Sequence, residues 1–127
     1  MKYLLDTHAI IWYFEDSLKL PKRIAELIDD PKADIYVCSV SLWEIVIKMN
    51  LGKLDLQLPL NELLSRLKSG AFNILQIEDA HLKGLLDLPF VHKDPFDRLI
   101  VSSALVEDLT VITIDENIQK YDVSWTW

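Results

Sequence analysis

What most constrains this chain is the near-regular alternation of short apolar, β-forming runs with stretches of helical character. KYLLD (2–6), DIYVCSV (34–40), FNILQI (72–77) and TVITID (110–115) have the length and side chains of buried strands, and YDVSW (121–125) reads as a short edge strand. Helices are expected from about Thr7 to Phe14, from Pro21 to Ile28, and from Ser41 to near Gly52. Three more are expected over PLNELLSRLKSG (59–70), AHLKGLLDL (80–88) and PFDRLIVSSALVEDL (95–109). Parallel strands need helical crossovers, and strands covered on both faces read as continuous apolar runs. The pattern therefore implies an α/β fold around a mainly parallel sheet, with any site beyond the strands' carboxyl ends.

The chain has 127 residues, half of them hydrophobic, enough for one domain spanning 1–127 with a real core. Its net charge of -7 argues against holding nucleic acid by bulk attraction, so any such contact must be local or metal-assisted. The single cysteine, Cys38, has no partner for an intramolecular disulfide and reads as a buried structural thiol in a reducing compartment. Asp6 and His8 interrupt the apolar N-terminal stretch, which is read as mature protein rather than a leader. With no membrane-length apolar segment, a cytoplasmic protein is expected.

Four acids fall at element junctions. Asp6 and Asp115 end strands, while Glu44 and Asp97 lie about one turn into helices. Each has an ordinary explanation: Ser41 and Glu44 match a capping box, Asp94 and Asp97 fit the start of a helix at Pro95, and Asp6 and Asp115 can cap the segments after them. Gathered at one sheet edge, however, they would repel one another without a cation. Hard divalent ions such as Mg²⁺ or Mn²⁺ take carboxylate oxygens together with water and phosphate. Zinc is disfavoured, because His8, His81 and His92 show no ligand spacing and read as ordinary surface or packing residues. The chemistry that suits such a cluster is metal-assisted phosphodiester hydrolysis.

LLDTHAIIW (4–12), SVSLWEIVIKMNLGKL (39–54), HKDPFDRLIVSSA (92–104) and VITIDENI (111–118), in this order and spacing, make the chain resemble the PIN-domain ribonucleases, in particular the VapC-type toxins of toxin–antitoxin pairs. The resemblance implies a three-layer α/β/α sandwich, endoribonuclease activity, and metal-binding acids at Asp6, Glu44, Asp97 and Asp115. It further implies a homodimer and neutralisation by an antitoxin. Asp94 is assigned to helix capping first, with metal contact second. Thr7, Ser39 and Thr113 are candidates to orient carboxylates or water, and Lys48, Lys53 and Arg98 to contact phosphate. Ile118 stands where many relatives carry phenylalanine, and Val101-Ser102-Ser103 replaces a more alanine-rich run.

The leucine stripe of LPLNELLSRL (58–67) is a candidate antitoxin contact against the alternative of core packing, and Trp125 and Trp127 are open between packing and interface. Two other functions stay open: a PIN nuclease of RNA maturation without an antitoxin, and a receiver-like signalling module. The latter lacks its second acid after the first strand, its phosphoacceptor aspartate and its late lysine. The RNA cleaved is not legible.

Overall fold

The computed structural model describes residues 1–127. Five strands, β1 (Lys2–Leu5), β2 (Asp34–Cys38), β3 (Phe72–Leu75), β4 (Thr110–Ile112) and β5 (Trp125–Thr126), form one sheet in the order β3-β2-β1-β4-β5. All four pairings are parallel, and Leu4 faces Tyr36 on one side and Val111 on the other.

Strand alternation divides the core. Tyr3, Leu5, Ile35, Val37 and Ile112 point into a 15-residue cluster completed by α1 (Thr7–Phe14), α2 (Lys22–Asp29), α3 (Ser39–Asn50) and α4 (Leu60–Ser69). Leu4, Cys38 and Val111 point the other way, into an 11-residue cluster with α6 (Pro95–Glu107) and α7 (Glu116–Gln119), against which α5 (Asp79–Asp87) packs Leu85. Both faces are covered, so the fold is the three-layer sandwich expected, and the apolar runs were continuous for that reason. No helix is long and apolar enough to cross a membrane.

α5 and α6 approach closely. A β-carbon on Gly84 would stand 2.7 Å from Ser102 Oγ, which itself donates to the His81 carbonyl at 2.6 Å. Ser102 in the small-residue run thus serves helix contact. Cys38 is buried as expected, its thiol pKa raised by burial.

Several boundaries differ from the sequence reading. β2 ends at Cys38 and α3 begins at Ser39. Ser41 consequently lies inside the first turn and the capping box with Glu44 does not form. β4 stops at Ile112 because the Thr113 hydroxyl accepts the Asp115 N–H at 2.9 Å, turning the chain into α7, a short helix the sequence reading missed. β5 lies at Trp125–Thr126 rather than 121–125. The leucine stripe of α4 is not a free docking face: Leu63 and Leu67 are fully buried and Leu60 packs on the same cluster. Trp127 packs edge-on against Trp12, whereas Trp125 is 45 % exposed.

Candidate metal centre

In a parallel sheet, a helix that leads back into a strand starts at the carboxyl edge, which brings the N-terminus of α6 to the edge where β1, β2 and β4 end. There Asp6, Glu44, Asp94, Asp97 and Asp115, with Thr7, His8, Lys48 and His92, line a cavity of about 190 Å³ without a single hydrophobic side chain. Larger hollows, of about 450 and 470 Å³, include residues from the strands' amino ends and bring together no comparable set of acids. Convergent chemistry, not size, marks the site.

The acids are held differently. Asp6 is buried and caps α1: Oδ1 accepts the Ala9 N–H at 2.8 Å and Oδ2 accepts the Thr113 hydroxyl. Burial raises its pKa against the lowering effect of those two donors. Asp115 caps α7 through the Asn117 N–H at 2.8 Å, so Thr113 links two of the acids. Both oxygens of Glu44 are engaged, Oε1 by the Thr7 hydroxyl at 2.6 Å and Oε2 by the Lys48 ammonium at 2.7 Å. Burial lowers the Lys48 pKa, but its hydrogen bond to Glu44 and the charges of Glu44, Asp94 and Asp97 leave it raised. Asp94 caps α6, its Oδ1 accepting the N–H groups of Phe96 and Asp97 at 2.9 and 3.1 Å.

Asp97 differs from the rest. Its carboxylate has no aligned hydrogen-bond donor, and its ion-pair partner is His92, with Nε2 3.3 Å from Oδ2. Burial, then the charges of Asp94, Asp115, Glu44 and Asp6, push its pKa up to about 8. Lys48 attracts that charge, but four neighbouring acids outweigh it. An oxygen-rich cluster with one carboxylate left without donors suits a hard divalent cation.

Other candidates fall elsewhere. Ser39 is not in the cavity wall; Ser41, two residues on, instead lies 3.0 Å from the Thr7 hydroxyl. Lys53 is exposed and outside the cavity. Arg98 is buried, donating to the carbonyls of Leu85, Leu88 and Pro89 and to the Tyr121 hydroxyl, with its guanidinium 4.4 Å from the Phe90 ring centroid. It is a clamp in the fold and not a surface phosphate contact. Conversely, His92, set aside in the sequence as an ordinary residue, stands in the cavity wall. Its place two residues ahead of the capping Asp94 was the available signal.

A parallel α/β/α sheet whose carboxyl edge gathers acids into a polar cavity is an arrangement suited to a nuclease. The PIN domain family model matches residues 3–124, and the chain belongs to that family. No curated protein sequence matches it. The fold is similar to that of VapBC2 from Rickettsia felis bound to a DNA fragment from its promoter, at a TM-score of 0.73 and 17 % identity over 99 % of this chain and 98 % of that one. It is also similar to VapBC-1 from nontypeable Haemophilus influenzae, at 0.68 and 20 % over 99 % and 97 %. A toxin–antitoxin complex from Klebsiella pneumoniae aligns at 0.65 and 19 % over 98 % and 96 %.

Proposed function

We propose that residues 1–127 act as a single nuclease domain, a Mg²⁺- or Mn²⁺-dependent endoribonuclease that is the toxin of a toxin–antitoxin pair. The observation that carries this reading is the convergence of the acids around Asp97, whose carboxylate has no donor of its own. Fold similarity to complexes that include a toxin–antitoxin pair supports the partner.

Asp97, Asp115 and Asp6 would hold the ion, Asp97 and Asp115 through oxygens without a donor and Asp6 through the remaining lone pairs of oxygens that already accept from Ala9 and Thr113. A divalent ion there would supply Lewis acidity toward water and the phosphodiester and offset the negative charge of pocket and substrate. Thr113 fixes the orientation of Asp6 and the turn that presents Asp115. Glu44, held by Thr7 and Lys48, shapes the wall and is available to accept a proton from water. Lys48, half-exposed beside it, is placed to meet a phosphate oxygen. Asp94 holds the first turn of α6, which keeps Asp97 in position.

We also propose a homodimer and a cognate antitoxin as partners. Exposed apolar side chains on α5 and α6, Leu82, Leu86, Leu105 and Val106, are candidates for such contacts now that the α4 stripe is accounted for. The test is incubation of the purified protein with total cellular RNA, with chelator or with Mg²⁺, and mapping of the ends. Discrete internal cuts that require the ion are expected; undiminished cleavage in excess chelator would sink the reading.

A further inference from the structure

His92 lies in the loop before α6 and lines the same cavity as the acids. Its Nε2 stands 3.3 Å from Asp97 Oδ2, the distance of an ion pair but without the alignment by which a ring N–H donates to a carboxylate. Two potential ligand atoms that close, with no N–H aligned between them, are spaced as neighbours around one ion would be. An octahedral divalent ion with ligands at about 2.1 Å sets adjacent ligand atoms about 3 Å apart and opposite ones about 4.2 Å apart. One ligand atom each from His92, Asp94 and Asp97 lie within 4.8 Å of one another. Small side-chain adjustments bring such a set onto one ion.

The backbone that carries the imidazole is also held from behind. The His92 N–H donates to the Tyr121 hydroxyl at 3.0 Å, and that hydroxyl lies 3.4 Å from the His92 carbonyl, to which it donates in turn. Arg98 Nη1 donates to the same hydroxyl at 3.1 Å and to the Pro89 carbonyl, while Nη2 donates to the carbonyls of Leu85 and Leu88. A buried arginine and a buried tyrosine thus fix the backbone of a loop residue whose side chain retains 28 % of its exposure. This frame fixes the point from which the ring enters the cavity, so that its reach toward Asp97 is set before an ion arrives.

We infer that His92 is a nitrogen ligand to the divalent ion, shared with Asp97, and that it shifts the site's preference from Mg²⁺ toward Mn²⁺. Mg²⁺ is held by oxygens in near-ideal octahedra, whereas imidazole suits first-row transition ions. The inference rests on the reading of the cavity as a metal centre.

The experiment uses the full-length protein with Mn²⁺ and Mg²⁺ as probes. Pulsed electron paramagnetic resonance on bound Mn²⁺ detects nitrogen coupling, and calorimetry gives both affinities, in wild type, His92→Ala, His8→Ala and Asp97→Asn. His8 is the control because it lines the same cavity. Nitrogen coupling is expected in wild type and in His8→Ala, and is lost in His92→Ala. That loss is expected with a Mn²⁺ affinity weakened by about tenfold or more and a Mg²⁺ affinity changed by less than about threefold. Saturable Mn²⁺ binding without nitrogen coupling in wild type overturns the assignment and leaves the metal centre intact. So does coupling that vanishes in His8→Ala and survives in His92→Ala. Absence of saturable Mn²⁺ binding in wild type overturns both readings. The wild-type spectrum decides the question even if the His92 variant folds poorly.

Discussion

Replacing Asp97 by asparagine should stabilise the metal-free protein while removing its function. In the fold the Asp97 pKa is pushed up to about 8 from 3.8, by burial first and then by four neighbouring acids. The raised value means that folding favours the protonated carboxyl. Its contribution is therefore fully present below the unfolded pKa near 3.8 and is lost progressively as pH rises to about 8. Taken whole, that shift corresponds to roughly 4 kcal/mol at neutral pH. Solvent and counter-ions screen a side chain that keeps 15 % of its exposure. Asparagine also forfeits about 0.3–1 kcal/mol of favourable carboxylate interaction with the start of α6. A net gain of on the order of 2 kcal/mol for Asp97→Asn remains, or roughly 6–10 °C in Tm for a domain of this size.

The assay is thermal unfolding of both proteins in chelator between mildly acidic and mildly alkaline pH, repeated with Mg²⁺. In chelator the variant's advantage should be near zero at the acidic end and grow toward pH 8. With Mg²⁺ the wild type should recover more than the variant, since an ion at a hundred times its Kd stabilises the native state by about 2.7 kcal/mol and the variant has lost a ligand. A constant difference across pH, or equal gains from Mg²⁺, would show that Asp97 does not share a site with the other acids.

Thr113→Val removes the donor to Asp6 and the acceptor for the Asp115 N–H, and should cost roughly 1–3 kcal/mol in denaturant unfolding together with most of the RNA cleavage, whereas Thr113→Ser should keep both. Lys48→Met leaves the buried Glu44 carboxylate with only the Thr7 hydroxyl and should destabilise by roughly 1–3 kcal/mol, a change read by chemical denaturation at neutral pH. Arg98→Lys cannot reproduce the fork of bonds to three carbonyls and Tyr121, and should lower Tm by several degrees, with the loss measured by calorimetry in chelator.

The sheet was legible because both its faces are buried, which writes each strand as an unbroken apolar run; Leu4 and Leu5 point to opposite cores and are equally apolar. The acids were legible for a related reason, since a parallel sheet fixes which chain positions meet at its carboxyl edge, and Asp6, Glu44, Asp97 and Asp115 do meet there. Side-chain partnership was not. Lys48 and Arg98 look alike in sequence, yet Lys48 faces the cavity and Arg98 turns inward, a choice made by the carbonyls between α5 and α6. The capping box at Ser41 failed because α3 starts immediately at the end of β2, and no local pattern marks a helix that begins without a side-chain cap. His92 escaped notice because its role depends on Tyr121, 29 residues away.

On the proposed function, the acids at this edge share one divalent ion. Anomalous scattering from crystals grown with Mn²⁺ locates that ion without reference to activity. A single strong peak is expected in the cavity within about 2.0–2.4 Å of an Asp97 carboxylate oxygen and at similar distance from Asp6 or Asp115. An empty cavity at saturating Mn²⁺, or a peak held only by residues outside it, would contradict the account.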